Sequence, residues 1–403
     1  MGDEPADDLE SLVRGAVGRL ADDDGRLWGY SASPRWILAD SDVWWLTEPV
    51  DGAAVTGRLW RLTPDPAMGV GNTSVEWRDR TWAMIDCAGS SPTVRLLLHE
   101  AFHAFWEPEG WDWVTPVDRG DDSLALPQSR AALRTELRAW ARALRSGDRG
   151  AFAIANAIRR WRIHDLAGPE RSRQDYLDLW EGMAEYSAWK WTQAATAEVA
   201  QLADDGPPAA ASWHRSFCYT TGPVLGWALD VLEPDWRNQL RAAGSLTALL
   251  EQTAGKSSVP LRTALDRFGY NALLTDEAAA HEKREAADAE IRGRFTSLVW
   301  LPFPGSIWFD PRGVRHWGLG TFYRSLSCQT ERLQLKADEG AIVTPDWKWI
   351  GLPSPNPRDN DAGSLDGPGW MLTIADPAQA AGITWGPRPP GAEPRPPESA
   401  DPE

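Results

Sequence analysis

Leu96-Leu97-Leu98-His99-Glu100-Ala101-Phe102-His103 is the stretch of this 403-residue chain from which the rest is read. On a helix, His99 and His103 are four residues apart, so both imidazoles leave one face about a turn from each other and can bind one metal ion. Glu100 lies beside them, placed to take a proton from a metal-bound water and not to ligate the ion. With only six His in the chain, chance produces the His-Glu-x-x-His pattern on the order of 0.01 times per chain. The competing reading is a pair of satisfied core histidines. Leu96–Leu98, Phe102 and Phe105 already supply a core face, however, and leave two histidines and a glutamate over. Just upstream, Ser90-Ser91-Pro92 puts a Ser at the N-cap and a Pro at the first helical position, so a helix is expected from about Pro92 to Trp106, ending before Pro108.

A mononuclear catalytic zinc site wants a third protein ligand and an open position for water. The best candidate lies in Leu179-Trp180-Glu181-Gly182-Met183-Ala184-Glu185-Tyr186, on another expected helix. Glu181 and Glu185 are again four apart. Glu181 can reach the metal while Glu185, one turn on, accepts a hydrogen bond from the far nitrogen of a ligand His and fixes its tautomer. Gly182 would let two helices approach closely. A helical Glu pair on its own is usually a solvated face; Leu177, Trp180, Met183 and Ala184 argue for a buried one here.

Around these motifs the pattern is α+β. Residues 1–25 read as an acidic helix with Leu9, Leu12, Val13, Val17 and Leu20 at helical spacing. Short β-prone runs follow at Trp36–Ala39, Val43–Thr47, Gly57–Leu62, Ser74–Trp77 and Thr81–Asp86, a small sheet leading into the His99 helix. Leu133, Leu137, Trp140 and Leu144 mark a helix, and others are expected at 149–164, 175–204, 220–232 and 274–295. After Phe295 the chain turns β-prone, with strands suggested at 333–336, 340–343 and 347–350. The expected organisation is an N-terminal helix and β-sheet (1–89) packed on a mainly helical catalytic region (90–295), then a smaller β-rich region (296–375). A disordered Pro-rich tail (376–403) would end it.

His99–His103 with Glu181-Gly182-Met183-Ala184-Glu185-Tyr186 resembles the gluzincin metallopeptidases, in both the thermolysin-like and the aminopeptidase-N-like branches. The resemblance implies a zincin-like fold, zinc at His99, His103 and Glu181, and Glu100 as general base. Glu185 stands where the thermolysin-like pattern has an acidic residue behind a ligand. More closely, Leu133–Leu144, Glu181–Tyr186 and Phe217–Trp236 together look like a group of bacterial zincin-like HExxH proteins with a later β-prone region. Phe217-Cys218-Tyr219-Thr220-Thr221-Gly222 is similar to the tyrosine segment of the aminopeptidase-N-like enzymes. That likeness implies a phenol at Tyr219 donating to the transition-state oxyanion. Thr220 and Thr221 stand in place of the basic residue of that pattern. His214 and Arg215, just upstream, are candidate substrate- or anion-binding side chains. The chain departs from the aminopeptidases at Trp82-Ala83-Met84-Ile85-Asp86, where their strand carries a Glu for the substrate amino group. Amino-terminal exopeptidase specificity is therefore not implied, although Asp86 could take that Glu's part.

The formal net charge of −17 repels phosphate backbones and anionic lipid head groups, so nucleic acid and membrane surfaces are poor default partners. Three cysteines suffice for neither a disulfide framework nor a four-thiolate zinc site. Met1 to Glu10 lacks the basic and apolar regions of a secretory signal, and no apolar run approaches a membrane span. The expectation is a cytoplasmic protein. Of its 25 Trp, those at 82, 106, 180 and 213 lie near the motifs and are candidates to wall a cleft, whereas Trp140 and Trp161 fit helix cores. His164, His281 and His316 have no ligand-spaced partner. The expected activity is a zinc-dependent hydrolase, foremost a metallopeptidase acting on a peptide or small amide. Two readings compete with it: a metal-dependent amidohydrolase on a non-peptide substrate, and an inactive zincin-like protein that binds through its Trp-rich sheet or later β region.

Overall fold

The computed structural model describes residues 4–294 apart from 41, 66, 67, 69, 88–90, 106–110, 112, 115–122, 165, 167 and 208–212, and between 298 and 385 the strands alone. The chain divides into two units, one of Met1–Pro64, Val70–Ala209 and Trp213–His281, the other of Asp65–Gly69, Ala210–Ser212 and Glu282–Glu403. The amino-terminal sheet and the helical region, expected as separate segments, thus share the first unit.

That unit opens with α1 (Glu4–Asp23), whose Ala16 and Leu20 are buried while Val17, expected on the same face, is exposed. The sheet consists of β1 (Trp36–Ala39), β2 (Trp44–Leu46), β3 (Ala54–Thr56), β4 (Leu59–Leu62), β5 (Thr73–Trp77) and β6 (Arg80–Asp86) in the order β3-β4-β2-β1-β6-β5. All its pairings are antiparallel except β1 with β6, where Trp36 lies opposite Ala83 and Ala39 opposite Asp86. β1 is buried at all four residues. Its unbroken apolar run fits an interior strand covered on both faces. Trp82, fully buried in β6, donates to the Trp77 carbonyl and meets the Trp77 ring edge to face at 5.9 Å.

β6 feeds α2 (Val94–Phe105), the His99 helix, which lies against β5, β6 and a later helix, α5. The expected Ser-Pro start is displaced by two residues: Thr93 Oγ1 accepts from the Leu96 amide at 3.2 Å and so satisfies one of the helix's orphan donors. Trp36 Nε1 donates to the Leu97 carbonyl at 3.0 Å, pinning sheet to helix. Trp106 and Pro108, where this helix was expected to stop, lie outside the described residues.

The helices continue as α3 (Pro127–Ser146), α4 (Arg149–His164), α5 (Gly168–Trp191), α6 (Thr196–Asp205), α7 (Trp213–Ser216), α8 (Cys218–Leu232), α9 (Trp236–Ala243), α10 (Leu246–Thr253), α11 (Leu261–Arg267) and α12 (Tyr270–Arg294). Leu133, Leu137, Trp140 and Leu144 are buried along α3 as their spacing requires, and Trp161 of α4 is partly buried. The single helix expected at 175–204 is two, broken where Gln193 takes φ 58°. α5 packs on both α2 and α8.

The second unit holds β7 (Leu298–Pro302), β8 (Trp308–Phe309), β9 (Arg315–Trp317), β10 (Gly320–Tyr323), β11 (Leu326–Gln329), β12 (Leu333–Ala337), β13 (Ala341–Val343), β14 (Trp349–Pro353), β15 (Arg358–Asn360), β16 (Ser364–Gly367), β17 (Trp370–Ile374) and β18 (Thr384–Trp385). They form two six-stranded antiparallel sheets, β18-β7-β14-β13-β10-β9 and β15-β16-β17-β12-β11-β8. In β12, Leu335 and Ala337 are buried and Lys336 is exposed, the two-residue alternation of a half-covered strand. Trp385 pairs with Val299, so order extends into the segment expected to be a disordered tail, because Thr384 and Trp385 are good strand residues; 386–403 lies outside the described residues. No helix among the described residues is long and apolar enough to cross a membrane.

Candidate metal centre

Packing α2 against α5 brings His99, His103 and Glu181 together, and all three are buried. The Nε2 atoms of His99 and His103 are 3.3 Å apart, and Glu181 Oε2 lies 3.3 Å from the first and 3.5 Å from the second. An ion bound tetrahedrally at 2.0–2.1 Å spaces its donor atoms about 3.3–3.4 Å apart. The triangle matches that spacing. A pair of merely structural histidines would have its polar atoms satisfied. Here His103 Nδ1 and Glu100 Oε2 are buried without a hydrogen bond among the described residues. The residues therefore fit a metal centre of two imidazoles and one carboxylate, and this is the one such cluster among the described residues.

Two more groups of α5 set the geometry of His99. Glu185 Oε2 accepts from His99 Nδ1 at 3.0 Å, which points the Nε2 lone pair at the cluster. Glu185 is itself held, since Trp189 Nε1 donates to its Oε1 at 2.7 Å and Arg95 lies over the Trp189 ring. Burial works against positive charge on His99, but its hydrogen bonds to Glu181 and Glu185 and the charges of Glu100 and Glu185 outweigh it and push its pKa up to about 10. The same pairing, mainly with His103 and His99, holds Glu181 well below the usual carboxylate range in spite of its burial. For Glu100 burial dominates, and its pKa is raised. Glu181 and Glu185 thus both favour positive charge at His99, one from each side of its ring.

α8 contributes Tyr219, 40% exposed, whose hydroxyl donates to Glu181 Oε2 at 3.0 Å and whose ring lies 5.5 Å from that of His99. Burial of the hydroxyl end and the neighbouring Glu181 carboxylate hold the phenol protonated, well above its usual pKa. Tyr219 reaches this position because α5 and α8 touch at Gly182 and Gly222. The close approach expected of Gly182 is real, but it is made toward α8 and not toward the His99 helix.

The remaining expectations divide. Trp180 stacks on His103 with ring centroids 4.6 Å apart. Trp213 is buried with Arg130 over its ring, and Trp106 lies outside the described residues. His214 sits on α7, where its carbonyl accepts from Arg173 at 2.6 Å, and it is not part of the ligand cluster; the Arg215 side chain lies outside the described residues. Trp189 was not anticipated, although its position one turn beyond Glu185 is a readable signal. Neither was a buried ion network that joins α3, α4, α5 and α8. In it Arg159 pairs with Glu136 at 3.0 Å and Asp178 at 2.8 Å, Arg162 pairs with Glu136 at 2.5 Å, and Thr221 donates to Asp178 at 2.5 Å. Comparison with protein-family models, with curated proteins and with solved structures found no match, so the centre stands on its own geometry.

Proposed function

We propose that the chain is a zinc-dependent hydrolase of the zincin-like, gluzincin type, foremost a metallopeptidase. The observation that carries this reading is the 3.3–3.5 Å triangle of His99, His103 and Glu181 with Glu100 beside it, its buried Oε2 without a hydrogen bond among the described residues. The succession of β6 and α2 inside an α+β unit supports the zincin-like reading. Zinc held by His99, His103 and Glu181 supplies a Lewis acid that polarises a carbonyl and brings the pKa of water down to roughly 7. Glu100 accepts the proton of the attacking water at Oε2, a buried acceptor with no hydrogen bond among the described residues, and returns it to the leaving nitrogen. Glu185 keeps His99 in the ligating tautomer throughout. Tyr219 turns its hydroxyl from Glu181 Oε2 to the oxyanion that develops on the substrate, a donation made only in the transition state.

The substrate class is a peptide or small amide. The free thiols of Cys87 and Cys218 fit a reducing, cytoplasmic compartment. Glu100→Gln tests the reading: zinc content measured by atomic emission should match the wild type, while cleavage of a mixed peptide library falls by on the order of 10²–10⁴. Undiminished cleavage by this variant overturns the mechanism. A wild-type protein that binds zinc stoichiometrically but cleaves no peptide and no simple amide overturns the hydrolase in favour of a binding protein.

A further inference from the structure

The two histidines of the centre are oriented by different means. His99 donates from Nδ1 to Glu185. A ligating imidazole ordinarily gives its second N–H to a carboxylate, a carbonyl or water in this way. His103 has no such bond: its Nδ1 is buried and unpartnered among the described residues. Its ring instead stacks on Trp180, with centroids 4.6 Å apart and planes inclined by 30°, and meets the edge of Phe102 at 6.2 Å. Trp180 directly precedes Glu181, so one turn of α5 supplies both a ligand and a plate against the ring of another. Tyr176, one turn earlier, stacks with Trp180 at 6.2 Å and 16° from coplanar.

We infer that Trp180 is the positioning residue of His103, an aromatic face in place of the usual hydrogen bond. The inference rests on His99, His103 and Glu181 being the ligands of one divalent cation. The torsion that sets an imidazole plane is broad and roughly two-fold, so a ring without a hydrogen bond at Nδ1 needs a flat neighbour to fix the direction of its Nε2 lone pair. The indole face does a second thing. A ligating imidazole takes on part of the ion's positive charge, and an electron-rich face favours that charge. Trp180 therefore stabilises the loaded ring more than the empty one, and its loss lowers metal affinity beyond any effect on packing.

The test is zinc affinity of the full chain, measured by competition with a chromogenic chelator, for wild type, Trp180→Phe and Trp180→Leu. Leu removes the aromatic face and should weaken zinc binding roughly 10- to 100-fold, the usual effect of losing a group that orients a ligand. Phe restores a ring and should stay within about threefold of wild type. With cobalt(II) in place of zinc, the ligand-field absorption bands should shift in the Leu variant and keep their positions in the Phe variant. Should Leu fail to fold, Trp180→Met is compared with Phe in the same way. Wild-type affinity in the aliphatic variant, or equal losses in Phe and the aliphatic variant, overturns the inference. A wild-type chain that takes up no zinc overturns the metal centre itself, and so the two failures are distinct.

Discussion

Gly182 of α5 and Gly222 of α8 face each other backbone to backbone, so that a Cβ added at Gly182 would lie 3.0 Å from the Gly222 Cα and one added at Gly222 would run into the Gly182 backbone. Glu181 sits immediately before one of these glycines, and Tyr219 one turn before the other. The helix separation that lets the phenol reach the carboxylate is thus fixed by two missing side chains.

Gly222→Ala has only backbone to meet and cannot be relieved by a rotamer change. We expect it to destabilise the fold by about 1–3 kcal/mol, the cost of overpacking a close-packed contact. The Tyr219–Glu181 bond should lengthen as the helices are forced apart, and the recoil of α5 should carry Glu181 off the donor triangle, so that zinc affinity falls. Gly182→Ala, with its 3.0 Å approach, should be the milder of the two. Urea unfolding and a zinc titration on both variants check the order; a Gly222→Ala protein as stable as wild type would show that the helices are free to separate.

What the sequence discloses about this molecule follows from which signals are local. The His99 helix, the Glu181–Glu185 pair and the strand at Trp36–Ala39 are written in spacing and apolar runs, and they stand where those patterns put them. The break after Trp191 is not written there: Gln193 and Ala194 carry no mark of a left-handed turn, and both are good helix formers. Helices α9, α10 and α11, none longer than eight residues, are too short to show a period, although Ser245 caps α10 by accepting from the Ala248 amide at 3.1 Å and offered a clue. Trp180 shares its place near the motifs with Trp82, Trp106 and Trp213, and only its ring on His103 sets it apart. The Arg159 network is hidden for the opposite reason. Arginines and carboxylates on helices read as solvated faces, and only tertiary packing reveals that Glu136, Arg159 and Asp178 are almost wholly buried.

Glu136 of that network contributes a pH dependence of defined sign. Burial raises the Glu136 pKa, but the charges of Arg162 and Arg159 and their hydrogen bonds outweigh it and hold the carboxyl below its usual value. A carboxyl whose pKa is lower folded than unfolded contributes stability that is complete above the unfolded value and is lost as pH falls through the folded one. Asp178 shifts the other way, because its burial outweighs Arg159 and Thr221, and so it takes up a proton earlier on acidification. Glu136→Ala should cost about 3–5 kcal/mol at neutral pH, since it leaves two buried guanidinium groups short of a partner. Glu136→Gln should flatten the loss of stability below the ordinary carboxylate range. Denaturant melts at a series of pH values read both. A Glu136→Gln curve parallel to the wild type down to strongly acidic pH would remove Glu136 as the titrating group.

Tyr219 is placed for two duties. Its hydroxyl donates to Glu181 Oε2, the oxygen that completes the donor triangle, so the phenol is able to steady a ligand as well as to serve an oxyanion. The two roles separate in kinetics. An oxyanion donor acts only in the transition state, so Tyr219→Phe should lower kcat by about 10²–10³ while leaving KM close to wild type. Its zinc affinity should stay unchanged, since Phe keeps the ring beside His99. A phenol whose task is to hold Glu181 gives the reverse pattern: weaker zinc binding, and an undiminished turnover per bound ion once zinc is in excess. Because the hydroxyl stays protonated far above neutrality, neither pattern should bend with pH between 6 and 9 on its account, so a limb in the pH–rate profile that disappears in Tyr219→Phe would contradict both.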